Sequence, residues 1–244
     1  MQPRDPAARV AALNARYKDY AACDVLHHAL RDPDLGKLAL VSSFGAESAV
    51  LLHMVEKTQR NLPMIFIDTD LLFDETLAYQ QELTELLDLQ DLRIIRPDAA
   101  ALEARDPDES LWQTAPDACC ALRKTEPLQR ALSGFDGWIT GRKRYQGDTR
   151  SNLDFFEAEP ETGRIKVNPL VHWTLGDTEA YIEENNLPRH PLVAHGYPSI
   201  GCTPCTSSVK TGEDVRAGRW RGKEKSECGI HIVNGKITRK GDST

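Results

Sequence analysis

Four of the six cysteines form two close pairs in the sequence. Cys119 and Cys120 are adjacent, and Cys202 and Cys205 form a C-x-x-C in "GCTPC". A C-x-x-C is a common metal-binding or redox element. Adjacent residues, with Cα atoms about 3.8 Å apart, cannot easily place both sulfurs on one tetrahedral ion, whereas each can bind a different iron of one cluster. The pairs therefore favour a 4Fe-4S cluster, with zinc, a vicinal disulfide and an apolar helix face as the alternatives.

A fifth cysteine, Cys228, stands alone in "ECGIH". Its type leaves four roles open: a buried apolar residue, a metal ligand, half of a disulfide, or a reactive thiol. A run of six basic residues precedes it: Lys210, Arg216, Arg219, Arg221, Lys223 and Lys225. Together with "GRKR" at 141–144, this run suggests a local anion site and would favour a thiolate, with a solvated basic face as the alternative. The sixth cysteine, Cys23, lies in an amphipathic helical pattern and is predicted to be a core residue.

Two short loops follow predicted strands. The first, "SSFGAES" (42–48), has small residues that let backbone N–H groups approach an anion at a helix N-terminus. The second, "IDTDLLF" (67–73), brings Asp68 and Thr69 to the end of the next strand. Open α/β sheets bind ligands at the carboxyl ends of their strands, so the two loops could hold a nucleotide. Ordinary strand-to-helix turns with helix caps are the alternative.

The elements that must position these residues alternate along the chain. Short apolar runs at 38–41, 64–68, 92–96 and 137–140 are predicted to be strands, and helical patterns separate them. "KVNPLVHW" (166–173) is a further candidate strand. This alternation predicts an α/β fold with a mostly parallel sheet and helices on both faces. We expect one domain over 1–244, with an N-terminal helical segment (1–36) and a flexible C-terminal segment (206–244).

Composition narrows the classes of protein. With 244 residues and 40% apolar content, the chain can build a sizeable core. No apolar run is long enough for a membrane span and the N-terminus has no apolar signal core, so a cytoplasmic protein that binds no membrane is expected. The net charge of -7 argues against a nucleic-acid-binding protein. The oligomeric state is left open, and a homo-oligomer is compatible with the sequence.

The order of the motifs resembles one known family over nearly the whole chain, the assimilatory adenylyl-sulfate (APS) and phosphoadenylyl-sulfate (PAPS) reductases of the PP-loop nucleotide-binding group. The matching motifs are "SSFGAES", "FIDTDLLFDET", "DACCALRKTEPL", "WITGRKRYQGDTR", "HPLVAHGYPSIGCTPCT" and "RAGRWRGKEKSECGIH". The resemblance implies a PP-loop (adenine nucleotide alpha hydrolase-like) fold. It also implies reduction of APS to sulfite and AMP, with a thioredoxin-type dithiol as reductant. Within this family the tandem cysteines and the C-x-x-C mark the iron-sulfur branch, so a 4Fe-4S cluster is implied.

The resemblance also implies roles for individual residues. Cys228 would be the nucleophile, forming a cysteine S-sulfonate, and Cys119, Cys120, Cys202 and Cys205 would hold the cluster. The AMP part would be bound by Ser42, Ser43, Phe44, Gly45, Asp68 and Thr69. The phosphosulfate would be surrounded by Lys124, Arg144, Arg150, Arg216, Arg219 and His231. Where the family leads us to expect a Gln-Ser-Pro-like stretch, this chain has "QGDTR", which makes the register of Arg150 less secure than that of Lys124.

Lys124 follows Cys120 by four residues, so in a helix it would lie one turn away and could link the cluster to the substrate. The cluster is expected to have a structural and electrostatic role, and Gly218, Gly222 and Gly229 to let the C-terminal segment open and close. Three alternatives remain. They are a PAPS or dual APS/PAPS reductase, an iron-sulfur tRNA-thiolating enzyme, and a metal-binding regulator that is not an enzyme.

Overall fold

The computed structural model describes residues 5–223, 225 and 227, and these form an α/β structure around one six-stranded sheet. The strands are β1 Leu38–Ser42, β2 Met64–Ile67, β3 Leu92–Ile95, β4 Gly137–Ile139, β5 Phe156–Ala158 and β6 Ile165–Val167. The α-helices are α1 Pro6–Tyr17, α2 Ala22–Ala29, α3 Ser48–Gln59, α4 Asp74–Leu86, α5 Ala99–Arg105, α6 Leu111–Thr114, α7 Pro116–Cys120, α8 Glu126–Ala131 and α9 Leu175–Glu184.

The sheet has the order β3-β2-β1-β4-β6-β5, and only the β5–β6 pair is antiparallel among these strands. Alternate residues of a strand point to opposite faces, so both faces of a buried parallel strand must be apolar. Leu38 and Leu40 of β1 belong to one apolar cluster, whereas Ala39 belongs to a second that includes Leu128 of α8. The prediction of a mostly parallel sheet covered by helices on both faces is confirmed.

The chain reverses its direction of winding at β1. From β1 it proceeds through β2 to β3 at one edge, and then returns to place β4 on the other side of β1. The crossovers on the two sides of such a switch point diverge, which leaves a crevice at the carboxyl ends of the strands. The loops after β1, β2 and β4 therefore border a common space.

The prediction that Cys23 is a core residue is wrong, because its side chain is exposed. The buried residues of α2 are Ala22, Val25, Leu26 and Ala29, which follow the helical spacing i, i+3, i+4, i+7. Cys23 follows the first of these by one residue and so lies on a different face of the helix.

Two other regions differ in detail from the sequence reading. The pattern did not predict β5, a three-residue strand at the edge of the sheet. The predicted interrupted helix around the tandem cysteines consists of α6, α7, a π-helical turn Ala121–Thr125 and α8. A single π turn inside an α-helix is frequently found at functional sites.

The expected N-terminal segment contains α1 and α2. From 206 onward the described residues form turns, with Thr206 bridged to Arg219 and the amide of Ser207 donating to the carbonyl of Gly218. The expected mobility of this segment stays a prediction. No helix within the described ranges is long and apolar enough to cross a membrane.

Candidate functional site

A cavity of about 360 Å³ lies at the switch point of the sheet. Its floor is formed by the carboxyl ends of three neighbouring strands, with Ser42 at the end of β1, Thr69 after β2 and Thr140 after β4. Its size falls within the range of pockets that bind small molecules and cofactors. The order of the strands therefore brings together loops that are about 30 to 100 residues apart in the sequence.

The loop after β1 contributes three of its four predicted nucleotide-binding residues to the pocket wall. Ser42, Ser43 and Gly45 line the cavity, but Phe44 is fully buried and its ring packs edge-on against Phe66 at 5.1 Å. Phe44 has φ = 46°, a backbone conformation that is uncommon for a residue with a side chain. The turn thus directs the aromatic ring into the core and leaves the small residues beside the cavity.

In the loop after β2, one of the two predicted nucleotide-binding residues lines the cavity and the other does not. Thr69 lines the cavity, whereas the buried Asp68 accepts hydrogen bonds from Arg96 (3.0 Å) and from the amide of Asp70 (3.1 Å). Asp68 is therefore placed to fix the conformation of the loop, and the structure does not bring it into the pocket lining.

A cluster centred on Glu47 connects the first loop to the segment after β4. The Glu47 carboxylate accepts hydrogen bonds from Lys143 Nζ (2.7 Å), Gln146 Nε2 (2.9 Å) and the hydroxyl of Tyr145. Burial alone would raise the pKa of Glu47, but the charge and hydrogen bond of Lys143, with the other two donors, hold it below its ordinary value. Glu47 is therefore ionised and fixed at the N-terminus of α3.

Arg142 and Lys143, rather than Arg144, face the pocket from the "GRKR" stretch. Arg144 donates to the carbonyl of Leu153 (2.7 Å) and pairs with Asp154 (3.0 Å) at the surface. The structure thus places Arg144 away from the other predicted substrate-binding cations. Neighbouring side chains cannot all point to one wall of a cavity, and the extended backbone at Lys143 selects which of them do.

Arg150 lines the cavity, which removes the doubt raised by "QGDTR" about where its side chain lies. Gly147 has φ = 142°, in the region that favours glycine, and its carbonyl accepts a hydrogen bond from the amide of Arg150 (2.9 Å). The Arg150 guanidinium donates from Nη1 to Gln146 Oε1 (2.6 Å) and from Nε and Nη2 to Glu227 (2.6 and 2.9 Å). The turn at Gly147 therefore places Arg150 between two acceptors.

Arg216 and Arg219 enter the same cavity from the C-terminal segment. Arg216 donates to Glu227 (3.1 Å), and the Arg219 guanidinium lies over the Trp220 ring, 4.5 Å from its centroid, and donates to the carbonyl of Ile200 (3.2 Å). Two buried donors, Arg219 Nε and Trp220 Nε1, have no hydrogen-bond partner in the described part of the chain. Buried donors are rarely left unpaired, so this wall is suited to a ligand that brings acceptors.

The four paired cysteines lie next to this wall. Cys119, Cys120 and Cys202 are buried and Cys205 is partly buried. Burial, with the neighbouring thiols of Cys120 and Cys202, raises the pKa of Cys119 to about 11. Burial would also raise the pKa of Cys202, but Lys124 and a contact with Thr69 Oγ1 (3.2 Å) hold it below its ordinary value. The fold thus brings the two pairs together, although 82 residues separate Cys120 from Cys202.

Lys124 lies between the cysteines and the cavity. Lys124 lines the pocket and also lowers the pKa of the Cys202 thiol. The sequence predicted it to lie one α-helical turn from Cys120. The segment that carries it is a π turn, which shifts the direction of its side chain relative to an α-helix. Arg123 of the same turn is buried and pairs with Asp106 (2.8 Å) while donating to the carbonyl of Thr69 (3.1 Å), so the turn is fixed to the second loop.

No group of three or more His, Cys, Asp or Glu within the described ranges is arranged to hold a single metal ion. A four-iron cluster poses a different geometric demand, because each of its irons takes its own thiolate. The four cysteines, whose thiols influence one another, supply the number of thiolates that such a cluster takes, and Lys124 and Lys225 are nearby cations that could balance thiolate charge.

The C-terminal segment is attached to the helices around the tandem cysteines by two lysines. Lys223 Nζ donates to the carbonyl of Trp112 (2.7 Å), and Lys225 Nζ pairs with Asp117 (2.5 Å) and approaches Cys120 Sγ (3.4 Å). The segment therefore runs from the cysteine pair to the pocket, where Glu227 meets the arginines.

The predicted nucleophile Cys228 and the predicted ligand His231 lie outside the residues that the structure describes. Cys228 directly follows Glu227, which lines the cavity. The sequence reading missed Glu47, Gln146 and Glu227 as site residues, although all three stand inside motifs that it singled out. Their polar type was visible, but Gln146 lies 99 residues from its partner Glu47, and Glu227 lies 77 residues from its partner Arg150.

Comparisons with known proteins agree with this architecture. A family model described as the phosphoadenosine phosphosulfate reductase domain matches residues 37–208. An adenosine 5'-phosphosulfate reductase of Mesorhizobium japonicum is 47% identical over 226 residues, covering 93% of this chain and 88% of the relative. Adenosine 5'-phosphosulfate reductase 1 of Bacillus subtilis is 40% identical over 196 residues, covering 80% of this chain and 84% of the relative.

Solved structures show the same fold. A crystal structure of phosphoadenylyl-sulfate (PAPS) reductase from Candida auris, in a phosphate complex, superposes with a TM-score of 0.71 at 30% identity, covering 82% of this chain and 96% of that chain. Candida glabrata FMN adenylyltransferase superposes with a TM-score of 0.55 at 18% identity, covering 94% of this chain and 88% of that chain. The second likeness concerns the fold alone.

Proposed function

Because the chain belongs to the phosphoadenosine phosphosulfate reductase family, we propose that it reduces adenylyl sulfate (APS) to sulfite and AMP in assimilatory sulfate reduction. The reductant is a thioredoxin-type dithiol protein, and the reaction passes through an S-sulfonate on Cys228. The relatives that are 40 to 47% identical over most of the chain carry the name of APS reductase, which supports APS as the substrate.

The main structural support for this proposal is the arrangement of cations in the pocket. Four of the cationic side chains predicted to surround the substrate line a pocket at the switch point of the sheet, and the residue that precedes Cys228 lines it as well. The four cations are Lys124, Arg150, Arg216 and Arg219. A pocket with small residues and backbone N–H groups on one wall and these cations on the other suits a nucleotide joined to a second anionic group.

The cations answer the main electrostatic problem of the reaction. The Cys228 thiolate must approach the sulfur of a phosphosulfate, which is itself negative, and unshielded repulsion would oppose the attack. Guanidinium and ammonium donors on the sulfate and phosphate oxygens remove that repulsion, and they stabilise the charge that develops as the bond to AMP breaks. The same positive field favours the thiolate form of the cysteine.

The first step forms an S–S bond and breaks an S–O bond. The thiolate attacks the sulfur of APS, and AMP leaves through its phosphate oxygen with the electron pair of the S–O bond. The enzyme then carries a cysteine S-sulfonate. AMP is a good leaving group with its phosphate oxygens beside the arginines, so the step needs no strong general acid.

The second step releases sulfite. A thiolate of the dithiol partner attacks the Cys228 sulfur, and sulfite leaves with the electron pair of the S–S bond. The second thiol of the partner then attacks the mixed disulfide, which returns Cys228 to the thiol and leaves the partner oxidised to a disulfide. The two electrons that reduce the sulfate group therefore come from the partner. The segment carrying Cys228 must open to admit this protein, and we propose that its glycines permit the motion.

We propose that Cys119, Cys120, Cys202 and Cys205 hold a 4Fe-4S cluster. When bound, the cluster supplies a fixed local charge and structural support, since the thiol steps already account for both electrons. Lys124 lies against Cys202 and lines the pocket, so it can place its ammonium between the cysteines and the substrate anion.

Mass spectrometry of the protein after mixing with APS tests the proposal. We expect one added sulfonate on Cys228, removed by reduced thioredoxin and absent in Cys228→Ser. Cys23→Ser is the matched control, because Cys23 is an exposed thiol outside the pocket lining and its loss should leave the label in place. A sulfonate on any other residue would contradict the mechanism.

Two further measurements test the substrate and the metal. Comparing turnover of APS with that of PAPS decides between the proposal and a PAPS or dual reductase, and APS should be the better substrate. Protein purified without oxygen should contain iron and acid-labile sulfide in about equal amounts, lost in Cys202→Ser and retained in Cys23→Ser. Zinc without sulfide would contradict the cluster.

A further inference from the structure

Glu227 is a carboxylate that lines the pocket beside two of the arginines proposed to bind an anion. Its two oxygens accept hydrogen bonds from Arg150 (2.6 and 2.9 Å) and from Arg216 (3.1 Å). The side chains involved are 10 to 16% exposed, so solvent screens these pairs only weakly. Burial would raise the pKa of Glu227, but Arg150, Arg216 and Arg219 hold it below its ordinary value.

The carboxylate occupies the donors that an oxyanion ligand would need. Arg150 presents Nε and Nη2 to Glu227 as a two-pronged pair, which is the geometry by which arginine also binds sulfate and phosphate. Its Nη1 is directed to Gln146 Oε1. An anion arriving at Arg150 and Arg216 must therefore share these donors with Glu227 or displace it.

The position of Glu227 in the chain gives this competition a consequence. Glu227 is adjacent to Cys228, and Cα atoms of neighbouring residues are about 3.8 Å apart. The carboxylate that a ligand must displace therefore belongs to the residue directly before the predicted nucleophile.

We propose that Glu227 is an internal competitor for the oxyanion subsite formed by Arg150 and Arg216, and that it thereby sets the affinity for the anionic substrate. A ligand that must first displace the carboxylate binds with an apparent affinity reduced by the fraction of molecules in which the arginines are occupied. For the phosphosulfate group this inference rests on the proposed function, but competition for a simple oxyanion does not.

Equilibrium binding of inorganic sulfate at low ionic strength tests the inference directly. Glu227→Gln keeps the shape of the side chain and removes its charge, so we expect it to bind sulfate about tenfold more tightly than the unsubstituted protein. Glu213→Gln is the matched control. Glu213 lies in the same segment and pairs with Arg221 (2.8 Å), outside the pocket lining, so its substitution should leave sulfate binding unchanged.

A second pair of variants locates the effect. In an Arg150→Met background, Glu227→Gln should no longer tighten sulfate binding, because the shared guanidinium is gone. Equal tightening in both backgrounds would mean that the carboxylate acts through general charge and would overturn the competition. Unchanged or weaker sulfate binding in Glu227→Gln alone would overturn it as well, and a thermal melt of each variant checks that the fold is retained.

Steady-state kinetics with APS separates this inference from the proposed function. In Glu227→Gln the KM for APS should fall about fivefold or more, as expected when a ground-state competitor is removed. If the unsubstituted protein fails to reduce APS, the proposed function fails while the sulfate measurement still decides the role of Glu227. If it reduces APS but Glu227→Gln shows a raised KM, the inference alone fails.

Discussion

Glu47 and Glu227 are both carboxylates that line the pocket and pair with cationic side chains, but they belong to different parts of the molecule. Glu47 stands at the start of α3, directly after the β1 loop, and holds Lys143, which is fully buried on the neighbouring segment. Glu227 lies at the end of a segment without helix or strand among its described residues, and it holds arginines of the pocket wall. The Glu47 pair therefore lies within the framework of the sheet, whereas the Glu227 pairs attach the C-terminal segment to the pocket wall.

The two ion pairs differ in whether their cations can exchange the carboxylate for another anion. Without Glu47 the buried ammonium of Lys143 would lose its carboxylate partner and keep only the carbonyl of Gly141, so that pair is part of the folded framework. Arg150 and Arg216 line a cavity, and a ligand anion can replace Glu227 as their partner. Gln146 connects the two carboxylates, because it donates to Glu47 and accepts from Arg150. The fixed wall thus orients Arg150, which pairs with Glu227 of the C-terminal segment and which we propose to bind the substrate.

The largest expected effect on stability comes from removing the framework carboxylate. Glu47→Ala leaves the ammonium of Lys143 without its carboxylate partner in a buried site, and we expect it to lower the free energy of unfolding by about 3 kcal/mol. Glu227→Ala should lower it by less than Glu47→Ala, because water or an anion in the cavity can replace the carboxylate as the partner of Arg150 and Arg216. Denaturant unfolding of both variants makes the comparison, and equal losses would erase the distinction between the two pairs.

Removing a cation of the C-terminal segment should reduce activity strongly and stability only slightly. Arg219→Ala removes a guanidinium that lines the pocket, and we expect kcat/KM for APS to fall about a hundredfold or more, with the free energy of unfolding changed by less than about 1 kcal/mol. Arg221→Ala is the control, since Arg221 pairs with Glu213 outside the pocket lining and its loss should leave kcat/KM nearly unchanged. Comparable losses of activity in both would indicate a general charge effect.

The framework also predicts a dependence of stability on pH. His190 is buried, its ring pairs with Thr76 Oγ1 (3.0 Å), and burial lowers its pKa to about 4. The unfolded chain, with a histidine pKa near 6.5, binds the proton first, so the stability present at pH 7 is lost as the pH falls from about 6.5 toward 4. At pH 5 the loss should be about 1 to 2 kcal/mol.

Urea unfolding at pH 7 and pH 5 measures this loss, and His190→Gln should reduce it. Burial also lowers the pKa of His53 and of His172, so a smaller slope of the same sign should remain in that variant. Substitution of the exposed His27 should leave the difference unchanged. An unaltered pH dependence in His190→Gln would contradict the assignment to this residue.

The smallest expected effect concerns the residue that joins the two carboxylates. Gln146→Leu removes the acceptor for Arg150 Nη1 and a donor to Glu47, so Arg150 keeps its charge but loses its fixed orientation. We expect kcat/KM for APS to fall about tenfold, equivalent to about 1.4 kcal/mol, with the fold retained. Gln146→Glu keeps an acceptor for Arg150 and should recover part of the Arg150-dependent activity, although it places a second carboxylate beside Glu47. Gln90→Leu, at the surface, should have no effect.

The sequence by itself determined the features that depend on local order along the chain. Alternating apolar runs predicted the parallel sheet. The spacing of the tandem cysteines and the C-x-x-C predicts a 4Fe-4S cluster, which stays a prediction. The order of the motifs identified the family. These features need no knowledge of distant partners, because backbone periodicity and ligand spacing are properties of short stretches.

Only the tertiary structure decided where individual side chains point. It turned Phe44 into the core, left Cys23 exposed, and chose Arg150 over Arg144 for the pocket. It also connected Glu47 through Gln146 and Arg150 to Glu227, across 180 residues of sequence. The direction of a polar side chain is set by the partner that compensates for its loss of water. That partner is brought near only when the sheet places distant loops at one end of its strands.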